Sequence, residues 1–153
     1  MTIEENKEIA LRSVEEMWNE QNLDAIDELY SQDYVGHWFR VGGGDADRDA
    51  LEAFVREVHE GFPDYHMDVE FVLAEDDLVT VGFTGAGTHE GTYMGIEPSG
   101  KPATGRPIPG HITSRIEDGQ IVEGWATWDA LSLLQELDVV PDDLTRMQLA
   151  ADD

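Results

Sequence analysis

Cysteine is absent from the 153 residues, which excludes disulfides, thiolate nucleophiles and cysteine-ligated zinc or iron–sulfur sites. Lysine is nearly absent too, at Lys7 and Lys101 alone, so that nine basic residues face 34 acidic ones for a formal net charge of −25. Nucleic acid and anionic membrane surfaces both demand the opposite sign, and neither is an expected partner. No apolar run approaches the roughly 20 residues of a membrane-spanning helix, and the opening stretch TIEENKEIALRSVEEMWNE is too charged for a signal peptide. A soluble, cytoplasmic protein is the expectation. The five histidines include no His-x-His or His-x-x-x-His pair, so no metal site is expected. The glycines of GAGTHEGTYMG lack phosphate-loop spacing, and no organic cofactor is implied by any motif.

What is present is acid, spread through the chain rather than gathered in a tail: ENKEIALRSVEE, GGGDADRDALEA, LAEDD and VPDD all carry it. A solvated surface of this kind suits molar salt, where the screening length falls to about 3 Å. Adaptation to a salt-rich cytoplasm, that of a halophile, is the expectation.

Hydrophobic periodicity divides the chain into helices followed by strands. Thr2 and Glu5 form a capping-box pair ahead of Ala10, Leu11, Val14, Met17 and Trp18 at helical spacing. A short second helix carries Leu23, Ile26, Leu29 and Tyr30, and a third carries Leu51, Phe54, Val55 and Val58 before Pro63. Between these two, DYVGHWF reads as a strand with Val35, His37 and Phe39 on one face. Then HMDVEFVLA alternates, with Met67, Val69, Phe71 and Leu73 together. LVTVGFTGAGTH follows, and after a Pro- and Gly-rich excursion HITSRI and QIVEGWATW meet at Glu117-Asp118-Gly119-Gln120 as a hairpin. ALSLLQEL reads as a terminal helix. Helices preceding a mostly antiparallel sheet indicate an α+β fold, with residues 1–141 as one domain and 142–153 as an acidic C-terminal tail.

The segments Gly87-Thr88-His89, MGIEPSGK, RIEDGQIVE and WDALSLLQEL closely resemble the SnoaL-like polyketide cyclases, or ester cyclases, of the NTF2-like superfamily. The resemblance runs from the first helix to about Pro141. It implies a cone made by a strongly curved sheet and about three helices enclosing a pocket, and a homodimer formed through the outer sheet face. It also implies a lyase or isomerase that closes a ring by intramolecular aldol chemistry on a small apolar carbonyl compound, without metal or organic cofactor. Such chemistry needs one carboxylate to move a proton and donors for the developing oxyanion. The alternatives are a non-catalytic, small-ligand-binding dimeric domain and an epoxide or ester hydrolase. The hydrolase chemistry of this superfamily uses an Asp-Arg-Asp cluster, and Arg115, expected to pair with Val122 opposite Asp129, argues against it.

Three residues are the catalytic candidates. With a simple hairpin, Ile112 pairs with Trp125 and Ile116 with Ile121, so Ile121, Glu123, Trp125, Thr127 and Asp129 share an inward face. Asp129 would there be a general acid or base whose pKa is raised by desolvation; equally, Asp is a favoured N-cap for the helix that follows. In the antibiotic-ring cyclases the resemblance sets the acid/base aspartate three positions earlier, at Ala126 here. His89 shares the parity of Val79, Val81 and Phe83, and His37 that of Val35 and Phe39, so both are expected to look inward and to polarise a carbonyl or hold water. Trp18, Phe39, Phe62, Phe83, Tyr93 and Trp125 are the expected lining of the substrate pocket. Trp38 and Trp128 are expected on the outer sheet surface, where a partner would cover them.

Overall fold

The computed structural model describes residues 1–38, 43–98 and 107–145. Helix α1, Ile3–Arg12, opens on the capping box: the Thr2 hydroxyl accepts from the Glu5 N–H at 3.1 Å and the Glu5 carboxylate from the Thr2 N–H at 2.7 Å. At Ser13 the helix loosens into π-helical turns over Ser13–Asn19. The Ser13 hydroxyl donates to the Ala10 carbonyl at 2.7 Å, a local bond that competes with regular helix pairing. The widened turns carry Met17 and Trp18 into the interior, where both are buried.

Helix α2, Asp24–Leu29, passes without a loop into strand β1, Tyr30–Trp38; Tyr30, expected at the end of the helix, is the first strand residue. Helix α3, Arg48–Gly61, is capped by Asp47, whose carboxylate accepts from the Ala50 N–H at 2.8 Å. Its Leu51, Val55 and Val58 are buried, as their spacing requires. Strands β2, His66–Glu75, β3, Leu78–Ala86, β4, Ile108–Glu117, and β5, Gln120–Trp128, follow, and a short helix α4, Ala130–Glu136, closes the described elements. Asp118 and Gly119 turn the β4–β5 hairpin with φ of 50° and 81°, the left-handed pair that the sequence signalled.

The sheet is ordered β1-β5-β4-β3-β2, with β1 parallel to β5 and every other pair antiparallel. It is curved and unclosed, and the α+β architecture expected from the order of elements is the one observed. The core fills the concave side, where Val79, Val81, Ile116 and Ile121 of the sheet meet Val14, Met17, Ile26 and Val55 of the helices.

Two bulges decide which side chains reach that side. Ile116 faces Ile121 but Arg115 faces Glu123, so Val122 is an extra residue in β5. A one-residue slip exchanges the faces of everything beyond it. Ile112 therefore lies opposite Ala126 and Thr113 opposite Trp125. Gly124, Ala126 and Trp128 look inward, while Glu123, Trp125 and Thr127 look out, the reverse of the simple-hairpin expectation. In β2 the extra residue is Glu70, between the pairs Val69–Phe83 and Phe71–Gly82. Met67 stays inside, but Phe71 and Leu73, expected to share its face, are turned out at 43% and 63% exposure. The Phe71 ring covers Gly82, where no side chain stands in its way.

The chain beyond β3 docks on the end of α3 through the N–H groups of Glu90 and Gly91, which both donate to the Gly61 carbonyl, at 2.9 and 3.1 Å. A β-carbon at Gly91 would press directly on the Glu60 carbonyl oxygen, which is backbone and has little room to yield. Gly91→Ala is therefore expected to lower stability by about 1–3 kcal/mol, measured as a shift in denaturant midpoint at constant salt; an unchanged midpoint would contradict this docking.

Candidate ligand cavity

The concave side of the sheet is not completely filled. A cavity of about 1000 Å³, counting its open mouth, lies between the sheet and the helices. Trp18, Phe62, Phe83 and Tyr93, all expected to line the pocket, border it, and Trp125 borders it from β5 while its ring is turned to the convex face; Phe39 lies outside the described residues. Trp18 and Met17 come from the π-helical turns, Phe54 and Phe62 from α3 and its end, and Phe83 from β3.

Trp38 and Trp128, expected on the outer surface, are inside, because the bulge at Val122 sends Trp128 inward and Trp38 stands beside Ala126 in the β1–β5 register. Phe54 lies between them, 4.9 Å from the Trp38 ring and 5.7 Å from the Trp128 ring, with Trp18 edge-on at 6.0 Å. Phe54 stood out in the sequence only as one apolar residue of a helical face; its place at the centre of this group depends on the strand register.

Polar groups in the wall are few. They are the phenols of Tyr30, Tyr34, Tyr65 and Tyr93, the indoles and Ser114; the described lining residues include no carboxylate, imidazole, ammonium or guanidinium. Burial pushes all four phenols above their ordinary range, Tyr93 up to about 12, and keeps them protonated. Such a wall can hold apolar rings and donate hydrogen bonds to neutral oxygen atoms. Among the described residues no three acidic or histidine side chains converge as metal ligands would.

The three catalytic candidates are dispersed. Asp129 caps α4: one carboxylate oxygen accepts from the Ser132 N–H at 3.0 Å and the other from the Ser132 hydroxyl at 2.6 Å, and the residue is exposed. The position three residues earlier, Ala126, does face the cavity. His89 is fully buried, as its parity implied, but it stacks behind Phe62 at 5.3 Å and is not among the cavity's lining residues. Neither of its ring nitrogens has a hydrogen-bond partner among the described residues.

His37 is turned to the outer face, opposite to the inward placing expected for it, because β1 pairs it with the outward Trp125. There it bridges Asp45 at 3.0 Å and Glu123 at 2.8 Å, with its ring 5.4 Å from that of Trp125. Arg115 extends the group: it holds Asp77 through two 3.0 Å contacts and Glu123 at 3.3 Å, and its guanidinium lies 5.7 Å from the Trp125 ring. The bulge gives Arg115 a carboxylate neighbour in Glu123 where Val122 was expected. An acid–arginine–acid cluster thus exists in this chain, but on the convex side of the sheet. The bonds to Glu123 and Asp45 raise the His37 pKa, and the bonds from His37 and then Arg115 lower that of Glu123.

A family model described as SnoaL-like polyketide cyclase matches residues 8–137. Among solved structures, AclR from Streptomyces galilaeus, titled a "putative hydroxylase", is 26% identical with a TM-score of 0.81, over 99% of this chain and 92% of that one. A "Putative SnoaL-like polyketide cyclase" from Jannaschia sp. CCS1 is 25% identical with a TM-score of 0.80, over 92% of this chain and 97% of its own. IdmH of Streptomyces antibioticus, "a putative polyketide cyclase", is 27% identical with a TM-score of 0.75, over 88% and 99% respectively. No curated protein matches the chain. A hydroxylase and a cyclase among such similar structures agree with a fold that hosts several chemistries.

A raised histidine pKa stabilises the fold while the ring is protonated, fully so below the unfolded value of about 6.5. The contribution is lost as pH rises through the higher folded value. Glu123, with a lowered pKa, stays ionised across that range and does not offset the loss. Thermal unfolding between pH 6 and 9 at fixed low salt should therefore show a decline in melting temperature that His37→Gln removes. Molar salt should flatten it by screening; an identical decline in the variant would detach it from His37.

Proposed function

Since the chain belongs to the SnoaL-like polyketide cyclase family, we propose that its cavity binds a small, mostly apolar, polyketide-like carbonyl compound as a non-catalytic binding domain. The observation that carries this reading is the wall itself: aromatic rings and phenols with no charged side chain among the described lining residues. A ligand of fused or linked rings gains from burying apolar surface, at roughly 25 cal/mol per Å², and from stacking on Trp38, Phe54 and Trp128. A ligand carrying its own carboxylate or ammonium would find no partner of opposite sign there and would lose its hydration.

Intramolecular aldol closure is the second reading. It needs a base beside the carbon that loses its proton, and neither Asp129, His89 nor His37 is among the lining residues. One observation keeps it open to test: in the sequence Asp129 stands between Trp128 and Leu133, both of which border the cavity. Hydrolysis is disfavoured by the position of the Asp77–Arg115–Glu123 cluster on the opposite side of the sheet. For the outer face, with Phe71, Leu73 and Val35 exposed, we propose pairing with a second copy. Expression in a halophile's cytoplasm is the setting that the charge of −25 favours.

Asp129→Asn separates the readings, because Asn keeps the cap and cannot carry the proton. With an aromatic polyketone as probe, binding is expected to be unchanged in the variant, and the recovered probe chemically intact with either protein. Conversion of the probe by the wild type, lost in the variant by a factor of about 100 or more, would replace the binding reading with the cyclase one.

A further inference from the structure

Of the phenols around the cavity, Tyr30 and Tyr34 stand edge to face, 5.0 Å and 90° apart, yet their hydroxyl groups are used differently. Tyr30 hydrogen-bonds Ser13, whose own proton goes to the Ala10 carbonyl, so its hydroxyl belongs to the packing of the first helix. The Tyr34 hydroxyl lies over a gap in the sheet. Gly36 and Gly124 are direct partners in the β1–β5 register. A β-carbon on Gly36 would come within 2.7 Å of the Tyr34 oxygen, and one on Gly124 within 2.8 Å. The Trp38 indole nitrogen lies against Gly36 as well, and it hydrogen-bonds the Tyr34 oxygen.

An indole N–H can only donate, so Tyr34 is the acceptor in that contact. Its own proton then remains to be given, and no described residue accepts it. Tyr34 is buried and borders the cavity. We infer that Tyr34 is the hydrogen-bond donor that selects a neutral carbonyl oxygen of the bound ligand, with Trp38 as the positioning residue that holds the phenol for it. The arrangement discriminates by chemistry. An ammonium has no lone pair to receive the proton, a hydrocarbon leaves a buried donor unpaired, and a ketone or quinone oxygen satisfies it. The paired glycines serve the same end, since a side chain at either would displace the hydroxyl. This inference rests on the proposed ligand-binding role of the cavity and names the group within it that recognises oxygen.

The test compares 2-acetylnaphthalene with 2-isopropenylnaphthalene, in which a methylene replaces the carbonyl oxygen, by titration calorimetry of the full chain in its working salt. Tyr34→Phe is expected to weaken the ketone roughly five- to tenfold and leave the hydrocarbon unchanged. The carbonyl stretch of 13C-labelled ketone, read in the complex, is expected at lower wavenumber with the wild type than with the variant. Equal effects on both probes, or none on either, would make Tyr34 a wall residue only and leave the cavity reading standing. If neither probe binds the wild type, the inference falls together with that reading. Should the variant fail to fold, the wild-type spectrum decides: a bound carbonyl stretch equal to that in a hydrocarbon solvent overturns the proposal.

Discussion

One unpaired residue in β5, Val122, governs the interior of this protein. Because Arg115 steps past it to face Glu123, every later residue of β5 changes sides. The same step puts Trp128 and Ala126 into the concavity and, through the parallel register with β1, selects Tyr34, Gly36 and Trp38 from the first strand to join them. On the other side it gathers Glu123, His37, Arg115 and Trp125 into one charged and aromatic group. A cavity lined by neutral groups and a convex face rich in ion pairs are two results of one insertion. Had β5 run without it, Glu123 would lie beneath the helices and Trp128 in solvent.

This explains which parts of the structure were legible in the sequence. The α+β order, the capped helices and the Asp118-Gly119 turn follow from local signals, namely caps, 3.6-residue spacing and turn chemistry, while the cone-like shape was implied by the family resemblance alone. The inward course of Val79, Val81 and Phe83 also follows, because β3 has no bulge in its register with β4. Orientation failed wherever the ladder carried an extra residue, at Val122 and at Glu70. Neither has a distinctive residue type: a bulge costs one unit of alternation and leaves composition unchanged. Trp128, Phe71 and Leu73 were assigned to the wrong side for that reason; for His37 and Trp38 the alternation of β1 separates two faces without saying which is inner, and the register with β5, itself irregular between Tyr30 and Val35, decides it. Asp129 needed no such correction to be read as a cap, since the signal for that role is a carboxylate three residues before Ser132, which is entirely local.

The charge of the chain is handled differently on its surface and in its interior. Nine basic residues must serve 34 acidic ones. Arg115 meets two carboxylates at once and so does Arg12, which binds Glu16 and Glu28 at 2.8 and 2.9 Å. Sharing of this kind lets scarce cations join distant parts of the chain, but each contact is half-exposed and weak in strong salt. Cohesion at high ionic strength falls instead to apolar contact and backbone pairing, which salt does not screen.

The parallel pairing of β1 with β5 has a consequence for how the molecule comes into being. Gly36 and Gly124 meet across most of the length of the chain, and β5 is the one strand beside β1 among the described residues. During synthesis the first strand must therefore wait, unpaired, until nearly all the rest has emerged, while the β2–β3 and β4–β5 hairpins can form on their own. Loop closure of that length is entropically slow to achieve. The last event of assembly is then the docking of β1 along β5 at one edge of the sheet, and with it the completion of the floor of the cavity. A chain stopped short of β5 would have the outline of the fold but nowhere for a ligand to rest.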